Sequence, residues 1–97
     1  MLNSSKETIL ENECTLISDN GERVEIFCGE FPIYSGEFHA AYQQGIHAQK
    51  ALLINSDEYS YEERVEYGSV LYAVYRVFAR TDGYTELYLN QNAGGGY

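Results

Sequence analysis

VLYAVYRVFARTDGYTELYLN, residues 70–90, contains the longest strand pattern of the chain and the hairpin that follows it. Successive side chains of a β-strand point to opposite faces. This alternation assigns Leu71, Ala73, Tyr75, Val77 and Ala79 to one face and Tyr72, Val74, Arg76, Phe78 and Arg80 to the other. Because both faces carry apolar groups, we expect neither face to be fully exposed to water.

Two glycine-containing turns predict hairpins at the two ends of the chain. Asp82-Gly83 follows the long strand, and Asn20-Gly21 separates strand patterns over residues 8–18 and 23–31. Both dipeptides are typical of type I′ turns, in which the two central residues have positive φ. The sequence therefore predicts antiparallel pairing on either side of each turn.

One segment changes from strand to helix period. Three residues at helical spacing share one face: Phe38, Ala41 and Tyr42. Ser35 is a potential N-cap, Glu37 suits the helix dipole in the first turn, and Gly45 stands where a left-handed stop belongs. We expect a short helix over residues 36–44, with Phe38 as a core residue that packs it onto the sheet.

The remaining patterns complete a mainly β fold. Short strands are predicted over residues 50–54 and 64–67, and Gly68-Ser69 forms a two-residue turn before the long strand. We expect one small β-barrel, or a curled antiparallel sheet of five to six strands, with one short α-helix. Residues 8–91 form this single domain, and residues 1–7 and 92–97 are expected to be flexible tails.

Charge and length exclude several classes of function. The chain has 97 residues, which suffices for one domain, and its formal net charge is -9. An acidic chain of this kind repels phosphate, so binding to nucleic acid or to an anionic membrane surface is not expected. No apolar run reaches the ~18 residues of a membrane span. The polar N-terminal residues 1–7 predict no secretory signal.

Two residue types invite specific hypotheses. Cys14 and Cys28 predict two buried, reduced thiols, although a disulfide is possible if their strands pair. Two cysteines offer too few ligands for a metal site. The ten tyrosines suit protein–protein contact, because tyrosine combines a large contact area with a polar tip.

Catalytic and metal motifs are missing from the sequence. His39 and His47 lack the spacing that directs two imidazoles at one metal, and the acidic loop over residues 56–63 lacks the turn glycine of a calcium loop. No nucleophile elbow or phosphate-binding loop is present. We therefore expect no enzyme activity, no cofactor and no metal.

Interface candidates come from the aromatic and basic residues instead. Arg76 and Arg80 share a strand face with aromatic residues, where they could pair with carboxylates of a neighbouring subunit or of their own chain. The candidate interface residues are Tyr72, Arg76, Arg80, Tyr88 and Tyr42.

Several segments together resemble a known family. Ser35–Ala41 with Gly45, the strand Lys50–Ile54 and the group Tyr61–Glu63 resemble successive segments of small phage head-closure proteins, also called head–tail adaptor or stopper proteins. Val65–Arg76 is similar to the family's aromatic hairpin, with its glycine one place earlier. Tyr84–Leu89 is similar to the closing strand, and the likeness covers about residues 24–90.

The resemblance implies a structural virion protein that joins head to tail. Members are small β-barrels that form a ring under the portal and adaptor, close the DNA-filled head and dock the tail. The partners would be copies of itself, portal and adaptor proteins and tail proteins, and DNA would pass without adhesion. The protein would be made in the host cytoplasm and lie in the virion neck, with no cofactor.

Two further hypotheses accompany this resemblance. The loop Gly45, Ile46, His47, Ala48 and Gln49 is expected to reach toward the channel or a neighbouring ring. The alternative function is a separate small-barrel module that binds a protein through a Tyr-rich face.

Overall fold

The computed structural model describes residues 10–91, which form six strands and one α-helix. The elements are β1 Asn12–Ile17, β2 Arg23–Phe31, α1 Ser35–Gln43, β3 Lys50–Asn55, a 3-10 turn Ser56–Glu58, β4 Arg64–Tyr67, β5 Val70–Ala79 and β6 Tyr84–Asn90. Both predicted tails, and residues 8 and 9 of the predicted domain, lie outside the described residues.

The strands close into a barrel in the order β1-β2-β3-β6-β5-β4. Every neighbouring pair is antiparallel, and β1 closes the barrel by pairing with β4, where Leu16 lies opposite Val65. The predicted mainly β fold with one short helix is confirmed. Closure leaves the sheet without the free edge that a small antiparallel sheet must otherwise protect.

The barrel interior is filled by one cluster of buried side chains. Its members are Cys14, Leu16, Ile26, Cys28, Leu52, Ile54, Val65, Tyr72, Leu87 and Leu89. The cluster draws on all six strands, so every strand contributes its inward-facing residues to one core.

Two hairpin turns differ from the predicted type. Between β1 and β2 the Ser18 N–H donates to the Glu22 carbonyl at 3.0 Å, and only Gly21 of the Asn20-Gly21 pair has positive φ, at 89°. The turn before β6 repeats this pattern with Gly83, at φ 92°. Each is thus a three-residue loop that ends in a left-handed glycine, and the type I′ assignment was wrong.

The type I′ geometry lies instead between β4 and β5. Gly68 and Ser69 have φ values of 60° and 66°, and the flanking residues Tyr67 and Val70 pair directly. This confirms the predicted two-residue turn.

A β-bulge interrupts the predicted alternation along β5. Val74 pairs with Leu89 and Arg76 pairs with Tyr88, so Tyr75 is the extra residue. A bulge shifts the side-chain alternation by one position. Tyr72 and Val74 therefore face the core, whereas Arg76 faces outward with Tyr88, and these residues do not share one face as predicted.

The helix begins one residue earlier and buries a different face than predicted. Ser35 is its first residue rather than its cap, and the buried residues are Glu37 and Ala41. Phe38 is 48% exposed, so its predicted place in the core was wrong. The C-terminus has the expected stop at Gly45, where the following N–H of Ile46 donates to the Ala41 carbonyl at 2.9 Å.

Candidate functional site

The charges of the chain are unevenly compensated. Within residues 10–91, four of the five cations form ion pairs with carboxylates of their own chain: Arg23 with Glu66, Lys50 with Glu30, Arg76 with Glu37, and Arg80 with Asp82 and Glu86. The fifth, Arg64, donates to the Ser18 carbonyl at 3.5 Å. The carboxylates without an ion pair in this part of the chain are Glu11, Glu13, Asp19, Glu22, Glu25, Asp57, Glu58, Glu62 and Glu63.

Helix α1 contacts the outside of β5 through Glu37, and Tyr34 just before it lines a groove with outward residues of neighbouring strands. We call α1 together with these outward residues the helix side. Its floor is Tyr88, which points outward from β6 yet is only 1% exposed. The Arg76 guanidinium stacks on the Tyr88 ring at 4.6 Å from its centroid. Phe31 adds an edge-on ring contact at 6.0 Å. An outward tyrosine is thus fully covered.

A buried carboxylate attaches α1 to this surface. Glu37 is 8% exposed and accepts hydrogen bonds from Arg76 Nε at 3.1 Å and from the Tyr75 hydroxyl at 2.9 Å, and Arg76 Nη2 lies 2.8 Å from it in an ion pair. Burial, and then the bond to Glu37, raises the pKa of Tyr75, and the bond to Glu37 raises the pKa of Arg76. Both shifts keep these donors protonated, so the cluster holds the helix in place and is not suited to proton transfer at neutral pH.

Beside the helix lies an apolar groove of about 270 Å³. It is lined by the apolar and aromatic residues Phe31, Tyr34, Leu53 and Tyr88 and by the charged residues Glu30, Arg80 and Glu86. The exposed aromatic residues of the helix side border the groove or continue along α1: Tyr34 (68% exposed), Phe38 (48%), Tyr42 (70%) and Phe78 (49%). Since the first three follow at intervals of four residues, they form one stripe along the helix.

The outer surface of β1 and β2 is different, and we call it the acidic side. Phe27 is 57% exposed and lies directly opposite Glu13 in the strand pairing. A second groove, of about 290 Å³, is lined by Glu13, Glu25, Ile26, Phe27 and Glu58. An exposed phenylalanine among uncompensated carboxylates is therefore its central feature.

The two sides are centred on different strands of the barrel and meet on β2, which supplies Phe31 to the helix-side groove and Phe27 to the acidic side. In the closed order β1-β2-β3-β6-β5-β4, strand β6 is three positions from β1 in either direction. The helix side is centred on β6 and the acidic side on β1 and β2. The folded chain thus carries two unlike exposed surfaces on one barrel.

The predicted interface residues separate into two groups. Tyr42, Arg76 and Arg80 are accessible on the helix side, with Arg76 and Arg80 side chains 45% and 38% exposed. Tyr72 is 6% exposed in the core and Tyr88 is covered by the helix side, so neither offers free surface to a partner.

Most tyrosines serve the fold rather than the surface. Tyr59 and Tyr67 pack against the core cluster, Tyr59 with its hydroxyl donating to the Glu62 carbonyl at 2.7 Å and Tyr67 with its hydroxyl donating to Glu30 at 3.0 Å. Burial, reinforced by nearby carboxylates, raises the pKa of each to about 12. Tyr34, Tyr42 and Tyr61 are the exposed tyrosines of residues 10–91.

The loop over residues 45–49 is fixed at both ends. The Ile46 N–H closes the helix, and the Gln49 N–H donates to the Leu89 carbonyl at 2.8 Å. His47 contacts the Tyr42 ring edge-on at 6.3 Å, and Ala48 is buried. The loop therefore continues the helix side.

The two cysteines are free and buried, as the reduced alternative predicts. Cys14 pairs with Ile26, and Cys28 pairs with Asn12, so the cysteines are diagonal neighbours on paired strands. The hydrogen bond with Cys28, together with burial, raises the pKa of the Cys14 thiol. Residues 10–91 contain no cluster of three metal-ligating side chains.

Sequence reasoning missed Phe27, Tyr34, Phe78 and the role of Glu37. The alternation of β2 did set Phe27 on the face opposite Cys28, which was the available signal for an outward aromatic residue. The pairing of Glu37 with Arg76 had no local signal, because it joins residues 39 positions apart.

Comparisons with protein-family models, with curated proteins and with solved structures found no match for this chain. In the part of the chain that the structure describes, no helix has the length and apolar character of a membrane span.

Proposed function

We propose that this protein is a structural virion protein that joins head to tail in a tailed phage or prophage. Copies of the chain would form a ring beneath the portal and adaptor, close the DNA-filled head and present a docking surface to the tail. The protein would act in the virion neck after synthesis in the host cytoplasm.

The observation that carries this proposal is the pair of unlike exposed surfaces on one closed barrel. A subunit within a ring needs two different side surfaces, one for each neighbour. Exposed aromatic residues such as Tyr34 and Phe27 supply the contact area that such surfaces require.

The segments that resemble the head-closure family support the same proposal. Ser35–Ala41 lies in α1, Val65–Arg76 forms most of the β4–β5 hairpin, and Tyr84–Leu89 lies in β6. Apart from β4, these elements build the helix side. The likeness also includes Lys50–Ile54 in β3 and Tyr61–Glu63 before β4, so it extends over most of the barrel.

The charge distribution suits a protein that DNA passes without adhering. Uncompensated carboxylates such as Glu22, Glu25 and Glu63 repel phosphate, and the described cations apart from Arg64 are already paired within the chain. The loop over residues 45–49 remains our candidate for contact with the channel or a neighbouring ring.

The groove beside Tyr34 favours one alternative, a separate module that binds a protein partner through the helix side. In both cases the protein works by binding and not by catalysis. The polar cluster at Glu37 pairs its groups with each other and leaves none poised for reaction.

Co-purification tests the proposal. The tagged protein is expressed with the portal and adaptor genes that neighbour its own gene, and captured material is analysed by mass spectrometry and negative-stain microscopy. We expect the protein on portal assemblies. Capture of an unrelated host protein, with bare portals, would favour the binding module instead.

A further inference from the structure

The helix side carries nearly balanced charge, although the chain as a whole is strongly acidic. Glu37 and Glu86 are paired with Arg76 and Arg80, and at the groove edge Glu30 is paired with Lys50. The large exposed apolar side chains there are aromatic: Tyr34, Phe38, Tyr42 and Phe78. Such a surface approaches another protein without the repulsion that a net charge of -9 otherwise imposes.

The acidic side carries the opposite kind of surface around its own aromatic residue. Glu13, Glu25 and Glu58 surround Phe27, and none of them has an ion pair within residues 10–91. Two acidic sides facing each other would therefore repel, so this surface is unsuited to a symmetric contact with its own copy.

The helix side offers groups that complement the acidic side. The guanidinium groups of Arg76 and Arg80 are partly exposed, and the second contact of Arg80, to Glu86, is long at 3.6 Å. Arginine has five N–H donors, so one intrachain carboxylate leaves others for a second carboxylate. The aromatic residues Tyr34 and Phe78 beside them match the exposed ring of Phe27 in chemistry.

We propose that the helix side of one copy docks on the acidic side of the next copy, in a head-to-tail contact. Tyr34, Phe78 and Arg80 of one chain would meet Phe27, Glu13 and Glu25 of its neighbour. This inference rests on the proposed ring function and specifies its subunit contact. A contact between two different patches generates rings or filaments rather than closed dimers.

Two variants, each with a substitution that disables one of the two surfaces, test the contact. Tyr34→Glu places a carboxylate on the helix side, at a helix N-terminus that tolerates it, and leaves the acidic side intact. Phe27→Arg places a cation on the acidic side and leaves the helix side intact. Sedimentation and chemical crosslinking measure self-association of each variant, of their mixture and of the unmodified chain, at low salt and concentrations up to 1 mM.

We expect the unmodified chain to associate beyond the dimer and each variant alone to associate at least about tenfold more weakly. The equimolar mixture should form a one-to-one dimer, because one intact helix side meets one intact acidic side. Added salt should weaken this dimer. Tyr61→Glu, at an exposed tyrosine outside both sides, is the matched control and should associate like the unmodified chain. Melting curves verify that each variant folds.

Three results would overturn the proposal. They are a stable dimer of either variant alone, a mixture that stays monomeric while the unmodified chain associates, and an unmodified chain that stays monomeric throughout. In the last case, co-purification with the portal would leave the proposed function standing without this contact. Failure of both experiments would reject both proposals.

Discussion

The helix side and the acidic side are built on the same barrel, yet they differ in how an outward-facing aromatic side chain is treated: one is covered and the other stays exposed. On the helix side an outward tyrosine, Tyr88, is buried beneath Arg76, which pairs with the helix residue Glu37. On the acidic side an outward phenylalanine, Phe27, stays half exposed among carboxylates. An outward aromatic residue thus stabilises the fold only where the chain covers it, and elsewhere it remains available for a partner.

The largest expected contrast comes from removing these two rings. Tyr88→Ala should lower the free energy of unfolding by about 3–5 kcal/mol, because a fully buried aromatic side chain is lost. Phe27→Ala should change it by less than about 0.5 kcal/mol. Urea unfolding measures both. Similar losses at the two positions would contradict the comparison.

Neutralising one carboxylate on each side gives a smaller contrast. Glu37→Gln should cost about 1–3 kcal/mol, since the buried hydrogen bonds to Arg76 and Tyr75 lose their charged acceptor. Glu25→Gln is the matched control on the acidic side, and it should be neutral or slightly stabilising because a repelling charge is removed. A loss at Glu25 equal to that at Glu37 would show that the acidic side is also held by its charges.

Alkaline pH tests the tyrosines that pack against the core between the two sides. Tyr59 and Tyr67 have pKa values of about 12 in the folded chain, above the value of about 10 for an unfolded tyrosine. A raised pKa stabilises the fold fully below the unfolded value, and this stabilisation is lost as pH rises through 10 to 12. We expect a loss of about 1 kcal/mol by pH 11, after solvent screening is allowed for.

The check is urea unfolding from pH 9 to 12, with phenolate absorbance recorded in parallel. Tyr59→Phe with Tyr67→Phe serves as the control, since it removes these two titrating groups and should make the loss smaller. Tyr75 and Tyr88, whose pKa values are also raised, keep part of the slope. Stability that rises between pH 10 and 12 would contradict the assigned direction of both shifts.

A small effect is also expected at Phe38, on the exposed stripe of the helix. Phe38→Ala should lower the free energy of unfolding by less than about 1 kcal/mol, because the ring is half exposed. Thermal unfolding measures it, with Ala41→Asp on the buried helix face as a comparison that should be strongly destabilising. If Phe38→Ala lowers the free energy of unfolding by more than about 3 kcal/mol, as expected for a buried aromatic residue, Phe38 would belong to the core as the sequence predicted.

The positions of the strands and of the helix could be predicted from the sequence, because local residue patterns determine them. Alternation located the strands, and the period change and Gly45 located the helix within one residue at each end. Features that depend on distant residues escaped it. The bulge at Tyr75 depends on how β5 meets β6, and the choice of Glu37 over Phe38 as the buried helix residue depends on Arg76. The same bulge explains Tyr72. The sequence predicted that Tyr72 shares an outer face with Arg76, whereas the alternation reverses beyond Val74 and leaves Tyr72 in the core.

The candidate surfaces were predictable only in part. Tyr42, Arg76 and Arg80 were identified from composition and spacing, whereas the acidic side was not. Its character comes from the register of the β1–β2 pairing, which sets Glu13 directly opposite Phe27. Charge counts along a sequence do not reveal which carboxylates find a cation after folding.

Negative-stain images of portal assemblies purified with this chain test the central claim most directly. The account predicts an added ring of small subunits beneath the portal. It also predicts that the chain carrying both Phe27→Arg and Tyr34→Glu adds no ring while melting like the unmodified chain. Portals that remain bare in the presence of the folded, unmodified chain would contradict the account.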